Sequence, residues 1–253
     1  MFTDQVGDIP VAGVYCTLCG TVIIYKVEFK GQSYQLGTSG FLFRSNKLMY
    51  DKRTQSLWST MQGEPVIGPL VGRGIKLPYL SVVTTSWGAW KKRHPDTKVL
   101  SMDTGFKRNY SEGAAYESYF ATDELMFQVP FKDNRLKNKD EILAIRLPDV
   151  TDQVLAISSA LLKENTLYKT GLGGVDITVF TDRSGAHRAY ATKDHVFKDY
   201  DRNRTAIDSN GNLWKLEEDN MISEHEPQLR RIPTYNAFWF GFRAAFPDTI
   251  LMH

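Results

Sequence analysis

The chain has few cysteines, no long apolar run and almost no excess of charge, and each shortage excludes a class of protein. Two cysteines among 253 residues are too few for a small disulfide-framed domain. No run reaches the roughly 18 apolar residues of a membrane-spanning helix, so no transmembrane segment is predicted. Lysine and arginine number 31 against 29 acidic residues. This balance lacks the basic footprint of a nucleic-acid-binding protein.

What remains is the composition of a folded domain. Hydrophobic residues make up 42% and charged residues 24% of the chain, enough apolar surface for a core. Residues 1–16 carry neither the basic start nor the long apolar stretch of a signal peptide. The glycine-rich and histidine-rich motifs of nucleotide-binding proteins, zinc proteases and serine hydrolases are also missing.

Short strands dominate the predicted secondary structure. Runs such as 9–15 are rich in β-branched and aromatic residues and end at glycine or polar residues. Lys30-Gly31, between two alternating runs, predicts a hairpin. Two short helices are predicted to end before Pro95 and Pro247. The predicted fold class is therefore mainly β with a few short helices (α+β).

The clearest helical spacing lies in residues 151–165. Val154, Ile157, Ala160 and Leu161 recur at intervals of three or four residues behind a threonine and an aspartate. Those residues are typical of a helix start, and the spacing places the apolar side chains on one face. The sequence predicts a helix over this segment.

An internal repeat organises the chain. Residues 86–97 (SWGAWKKRHPDT) match residues 238–249 (FWFGFRAAFPDT), and further landmarks upstream match in the same order. Ordered similarity over about a hundred residues predicts two tandem copies of one β-rich unit packed together. The predicted divisions are residues 1–101 for the first unit, 102–141 for a loop-rich connector and 142–253 for the second unit.

The landmarks shared by both copies are expected to serve the fold. They include Trp58 with Trp214 and Trp87 with Trp239, so we expect all four indoles to be mostly buried and the copies to pack through aromatic faces. The segment that precedes the first strand of the second copy has almost no counterpart in the first copy. That difference predicts a chain truncated at its N-terminus.

Cys16 and Cys19 occur in the first copy alone and are the strongest candidates for chemistry. Two sulfurs separated by two residues and followed by Gly20 can converge on one metal ion, and thiolates favour copper or zinc. The five histidines have no paired spacing, so a closed four-ligand zinc site is not predicted. The same spacing also suits a thiol–disulfide redox pair, or two cysteines that only pack.

A second group of polar residues could line this site. These residues have no counterpart in the second copy, or lie next to the cysteines: Tyr15, Ser45, Asn46, Tyr50 and His94. Ser45 and Asn46 suit a polar turn between strands equally well. His94 is replaced by Phe246 in the second copy, and a histidine at a helix end is more often a surface residue than a ligand. No catalytic residue and no protein partner can be assigned from the sequence.

At these positions the chain resembles a bacterial and archaeal family known as domain of unknown function 3179. The segments that carry the resemblance are PVAGVYCTLCGTVIIY, SGFLFRSNKLMYDKRTQSLWST, GEPVIGPLVG and HPDTKVLS. A Trp-His-Glu stretch that family members carry upstream is missing here, which agrees with the predicted truncation. The resemblance implies an extracytoplasmic location and supports the fold, but it brings no activity.

Overall fold

Antiparallel hairpins build most of the computed structural model, which describes residues 1–130 and 132–253. Strands hold 40% of the chain and helical segments 11%. The predicted fold class, mainly β with a few short helices, is therefore confirmed. No helix in this part of the chain is long and apolar enough to cross a membrane.

The first part of the chain contains ten strands, one 3₁₀ turn and one helix. They are β1 Phe2–Val6, β2 Ile9–Cys16, the 3₁₀ turn Thr17–Cys19, β3 Thr21–Lys26, β4 Glu28–Phe29, β5 Gln32–Ser33, β6 Leu36–Phe43, β7 Asn46–Asp51, β8 Leu57–Ser59, β9 Glu64–Ile67, β10 Tyr79–Leu80 and α1 Trp87–Arg93. The predicted hairpin at Lys30-Gly31 is confirmed. Both residues have positive φ, 49° and 76°, as a tight two-residue hairpin turn requires.

The rest of the chain contributes three helices and twelve strands. They are α2 Glu117–Phe120, β11 Glu141–Arg146, β12 Val154–Ser158, α3 Ser159–Glu164, β13 Leu167–Leu172, β14 Val175–Thr181, β15 His187–Ala191, β16 Phe197–Tyr200, β17 Thr205–Asp208, β18 Leu213–Leu216, β19 Asn220–Ile222, β20 Leu229–Ile232, β21 Thr234–Phe238, α4 Trp239–Ala245 and β22 Ile250–Met252. The predicted helices before Pro95 and Pro247 are confirmed as α1 and α4.

Across the described residues, the strands pair in four sheets of four to eight strands and one two-stranded hairpin. The first part forms the sheets β1-β2-β3-β10 and β6-β7-β8-β9, with β4 and β5 as a separate hairpin. The second part forms one sheet in the order β13-β14-β15-β20-β19-β18-β17-β16. A fourth sheet, β21-β11-β12-β22, is built from strands of the second part alone, and its strand β21 also contacts β3 of the first part.

The helix predicted over 151–165 is wrong for its first half, where β12 is a strand. The backbone of β12 pairs with β11 on one side and with β22 on the other. Its three central residues are all buried. Burial of consecutive side chains on both faces is typical of an inner strand, and strand pairing therefore overrides the helical spacing. Only α3, the second half of the segment, is helical.

The largest hydrophobic core draws residues from both parts of the chain. Its members include Val14, Ile23, Tyr25, Met49 and Trp58 from the first part, and Ile142, Tyr235, Trp239, Phe240 and Phe242 from the second part. Two smaller clusters lie entirely within the second part. The first part thus depends on the C-terminal helix α4 to complete its core.

Three of the four tryptophans expected inside the protein are fully buried. Trp58, Trp214 and Trp239 confirm the expectation, but the prediction for Trp87 is wrong because its side chain is 51% exposed. Helix α1 has no buried residue. It contacts the second part through charged groups, among them Arg93, whose Nη1 donates to Glu218 at 2.9 Å. Its aromatic side chains are therefore not needed to fill a core.

Replacing Phe242 by alanine tests this shared core. The ring is fully buried and reaches the first part from helix α4. We expect Phe242→Ala to lower the free energy of unfolding by about 3–5 kcal/mol. Phe41 is exposed, so the matched variant Phe41→Ala should change it by less than about 0.5 kcal/mol. Urea unfolding measures both, and equal effects would contradict a core completed by α4.

Candidate functional site

The two cysteines face each other across a tight turn. Strand β2 ends at Cys16, the 3₁₀ turn places Cys19 one turn later, and β3 leaves in the opposite direction. The sulfur atoms lie 2.7 Å apart, and both thiols are free. Gly20 ends the turn with a φ of +59°, and an added Cβ there would lie 2.8 Å from the Phe238 ring. Glycine is thus required both by the backbone conformation and by the close ring.

The second part of the chain covers this turn. Cys19 is 1% exposed and Cys16 8% exposed. Helix α4 passes so close that an added Cβ at Gly241 would lie 3.6 Å from the Cβ of Cys19. The hydroxyl of Thr21 donates to the backbone oxygen of Asn236 at 3.2 Å, which ties the start of β3 to β21. Cys16 is therefore the more accessible of two largely buried thiols.

Of the residues predicted to line the site, Ser45 lies against Cys19, and its neighbour Asn46 reaches helix α4. The turn between β6 and β7 places the Ser45 carbonyl oxygen 3.4 Å from the sulfur of Cys19. The Asn46 amide Nδ2 donates to the carbonyl of Gly241 at 2.9 Å, and its Oδ1 has no partner among the described residues. These two residues therefore join the cysteine turn to helix α4.

Tyr119 also contacts the cysteine turn, and no sequence motif pointed to it. Its hydroxyl donates to the backbone carbonyl of Leu18, inside the turn, at 2.8 Å. The Nζ of Lys139 lies 3.6 Å from the centre of its ring. Burial, followed by the proximity of the two thiols, raises the pKa of Tyr119. A single aromatic residue in a polar connector is not distinguishable by pattern, so only the three-dimensional arrangement identifies it.

The two thiols differ in pKa because of their geometry. The hydrogen bond from Cys19 lowers the pKa of Cys16 to about 7, against the opposing effect of burial. The backbone and the charge of Lys47 contribute in the same direction. The pKa of Cys19 is raised, because it shares its proton with Cys16 and is buried. Cys16 is therefore the thiol that loses its proton first, and Cys19 is the one that keeps it.

The other three predicted lining residues do not contact the sulfurs. Tyr15 precedes Cys16 on a strand, so alternation turns its side chain to the opposite face, where it is 54% exposed. Tyr50 lies against Gly37 on the sheet of β6 and β7. His94 follows helix α1 and stacks on Trp90, with ring centres 4.1 Å apart.

The ligands that this site offers to a metal ion are the two thiolates. Across residues 1–130 and 132–253, no group of three or more histidine, cysteine or acidic side chains could hold a metal. A structural zinc site uses four ligands, so the residues do not fit one. Two soft thiolates fit copper(I) better than zinc.

The comparisons with known proteins identify one family. The model of the family described as "Protein of unknown function (DUF3179)" matches residues 1–249. No curated protein and no solved structure matches the chain. The match extends through the cysteine turn and helix α4, so both sides of the site lie within the family's common region.

The lowered pKa of Cys16 can be measured by alkylation. We expect the rate of reaction of Cys16 with iodoacetamide to rise with a midpoint near pH 7, because the thiolate is the reactive species. In Cys19→Ala the hydrogen bond is lost, and the midpoint should move towards the ordinary thiol value of about 8.5. Mass spectrometry after timed quenching at each pH follows the reaction.

Thr17→Ala provides the control for that measurement. Thr17 lies in the same turn, and its side chain makes no hydrogen bond to either sulfur, so the midpoint should stay near that of the wild type. A wild-type midpoint equal to that of Cys19→Ala would contradict the proposed hydrogen bond.

Proposed function

The chain belongs to the DUF3179 family, whose description assigns no activity, and we propose from the site itself that Cys16 and Cys19 form a thiol–disulfide redox pair. The observation that carries the proposal is the pair of free sulfurs 2.7 Å apart in one turn. Such a pair can close into a disulfide with little backbone movement, because three residues of tight turn already hold both side chains together.

The two thiols have different roles in this reaction. The Cys16 thiolate attacks one sulfur of a disulfide in a partner molecule, forming a mixed disulfide and releasing the partner's other sulfur as a thiolate, which takes up a proton. The sulfur of Cys19 then loses its proton to solvent and attacks the Cys16 sulfur, releasing the second partner thiol. Two electrons pass to the partner, whose disulfide is reduced while Cys16 and Cys19 are oxidised to a disulfide.

The difference in pKa and burial supports this order. A thiol with a pKa near the ambient pH combines a large thiolate fraction with good nucleophilicity, which is the condition Cys16 meets. Cys19 is buried deeper and keeps its proton. The outer thiol therefore begins the exchange, and the inner thiol completes it within the same molecule.

We also infer that the two parts of the chain are tandem copies. Comparing the copies distinguishes residues that serve the shared fold from residues that could carry out chemistry in one copy. The orders β1-β2-β3-β10 and β6-β7-β8-β9 correspond strand for strand to β13-β14-β15-β20 and β16-β17-β18-β19. Pairing also corresponds: Val6 faces Ile9 in the first hairpin, and Leu172 faces Val175 in the second. Trp58 and Trp214 lie on the matching strands β8 and β18.

The turn that matches the cysteine turn carries no thiol. Strand β14 leads into Asp182, and Ser184 donates its hydroxyl proton to the Asp182 carboxylate at 2.6 Å. This turn is therefore held by a carboxylate and a hydroxyl, with no sulfur in it. Because the turn forms without sulfur, packing alone does not require the cysteines, which supports a chemical role for them.

A metal site is the second candidate function. Two convergent thiolates with no third ligand among the described residues suit a two-thiolate copper(I) site. Cys16 and Cys19 would hold the ion, with the turn fixing the direction of both sulfurs. Zinc, the other ion considered, is disfavoured by the shortage of ligands.

A redox titration tests the proposed function. Wild-type protein is equilibrated in dithiol buffers of defined potential, quenched by alkylation and analysed by mass spectrometry. We expect a single two-electron transition to the Cys16–Cys19 disulfide, with a midpoint between about −270 and −120 mV, the range of dithiol redox proteins. Cys16→Ser and Cys19→Ser should show no intramolecular transition. Thiols that stay free throughout that range would contradict a redox role.

Metal analysis distinguishes the second candidate. Reduced wild type and Cys16→Ser are incubated anaerobically with copper(I), freed of excess ion by gel filtration and analysed for bound metal. The metal candidate predicts one copper per chain in the wild type and none in the variant. Equal metal in both proteins would rule out a site at these thiols and would leave the redox titration unaffected.

A further inference from the structure

A polar cleft lies between helix α1 and two turns of the second part of the chain, residues 182–185 and 201–204. Its volume is about 480 Å³, within the size range of sites for small ligands. A hydrogen bond from the backbone N–H of Arg183 to the carbonyl of Arg202, at 3.1 Å, ties the two turns together. Among the described residues, only Ala89 and Trp90 bring apolar side chains to the lining. The walls therefore suit a ligand that is polar along its whole length.

Cationic side chains dominate the lining of this cleft. They are Lys92, Arg93, Arg183, Arg188, Arg202 and Arg204, and the carboxylates of the lining are Asp182 and Asp201. Glu218 adds a third carboxylate, which is bound to both Arg93 and Arg188. Six cations against three carboxylates leave the cleft with an excess of positive charge, and such an excess attracts anions.

The carboxylates of the lining already have hydrogen-bond donors of their own. Asp182 accepts from Nη1 of Arg188 at 3.1 Å and from the hydroxyl of Ser184 at 2.6 Å. One oxygen of Asp201 accepts from three consecutive backbone N–H groups, those of residues 203–205, at 2.7 to 3.0 Å. Both carboxylates thus fix the shape of the turns that carry the cations.

Four of the cations pair with no carboxylate in the part of the chain that the structure describes. They are Lys92, Arg183, Arg202 and Arg204, of which the first three are exposed and the last is partly buried. Arg183 donates from Nη2 to the carbonyl of Asp201 at 3.4 Å, which leaves its Nε and Nη1 to a ligand. The forked donors of a guanidinium match two oxygens of one phosphate group. Three such forks and one ammonium group, from separate segments, are therefore open to a ligand in the cleft.

We propose that this cleft binds an oligophosphate chain, whose successive phosphate groups are held by the four unpaired cations. A phosphate chain is polar and anionic along its length, so it needs no apolar wall and matches the excess of positive charge. The same chain occurs in inorganic triphosphate and in nucleoside triphosphates. Trp90, 40% exposed at the cleft, offers an aromatic face to the base in the second case. This binding function is separate from the thiol pair and does not depend on it.

Calorimetric titration at pH 7 with inorganic triphosphate, ATP and adenosine tests the proposal. We expect saturable binding of one triphosphate or one ATP per chain and no binding of adenosine, which has no phosphate. Tighter binding of ATP than of triphosphate assigns the site to nucleoside triphosphates, and ATP binding that is no tighter assigns it to the inorganic chain. Arg183→Gln should weaken triphosphate binding roughly 10-fold, since charged hydrogen bonds are lost. Arg53→Gln removes the same charge from an exposed turn between β7 and β8, and it should stay within about 2-fold of the wild type because solvent and salt screen that charge.

A matched pair of variants at Asn203 keeps the test decisive if Arg183→Gln does not fold. Asn203 is exposed and lines the cleft. Asn203→Glu places a carboxylate among the arginines and should weaken triphosphate binding roughly 10-fold or more, with an unfolding temperature close to that of the wild type. Asn203→Gln has nearly the same size without the charge and should bind as the wild type does. The proposal is overturned if the wild type binds no triphosphate, if adenosine binds as tightly as ATP, or if folded Arg183→Gln or Asn203→Glu protein binds triphosphate as tightly as Arg53→Gln.

Discussion

Helix α4 packs against the first part of the chain and completes its hydrophobic core. Trp239, Phe240 and Phe242 on this helix belong to the same core as Trp58 and Tyr25 from the N-terminal sheets. Large aromatic side chains bury more surface than any other residue type, and small sheets alone cannot bury enough of theirs. The chain must therefore bring its C-terminus back to its beginning before the first core is complete.

This packing also creates the environment of the cysteines. Helix α4 approaches the turn at Gly241, whose carbonyl accepts a hydrogen bond from Asn46. An added Cβ at Gly241 would lie 3.6 Å from the Cβ of Cys19, an ordinary contact distance. Cys19 is thereby excluded from solvent, while Cys16 stays at the edge of the buried region. The hydrogen bond between the two sulfurs lowers the pKa of Cys16 and raises that of Cys19, and burial raises the pKa of both.

The matching helix α1 rests on the second part by a different kind of contact. Arg93 and Arg188 surround Glu218. Burial raises the pKa of Glu218, but the hydrogen bonds and charges of Arg188, Arg231 and Arg93 together outweigh it and hold that pKa at about 2. Arg188 also pairs with Asp182 at 3.1 Å. Helix α4 is thus held over the two thiols by apolar burial, whereas helix α1 is held over a carboxylate by ion pairs. The second arrangement is polar, and it leaves the aromatic side chains of α1 in solvent.

Local sequence was sufficient to predict those elements whose conformation depends on their own residues. The hairpin at Lys30-Gly31 follows from two residues that tolerate positive φ, and α1 and α4 both end before a proline that cannot continue a helix. Strand β12 could not be recognised in this way. Its residues suit a helix by spacing, and they form a strand because β11 and β22 supply backbone partners that lie far away in the sequence.

The mainly β fold class and the convergence of Cys16 and Cys19 follow from the sequence, because strand alternation and a two-residue spacer are local properties of the chain. The lower pKa of Cys16 and the contact of Tyr119 with the cysteine turn follow from the tertiary structure alone. These features arise where segments remote in sequence meet. Burial and hydrogen bonding at such meetings depend on the packing of the whole chain, and no short pattern of residues contains that information.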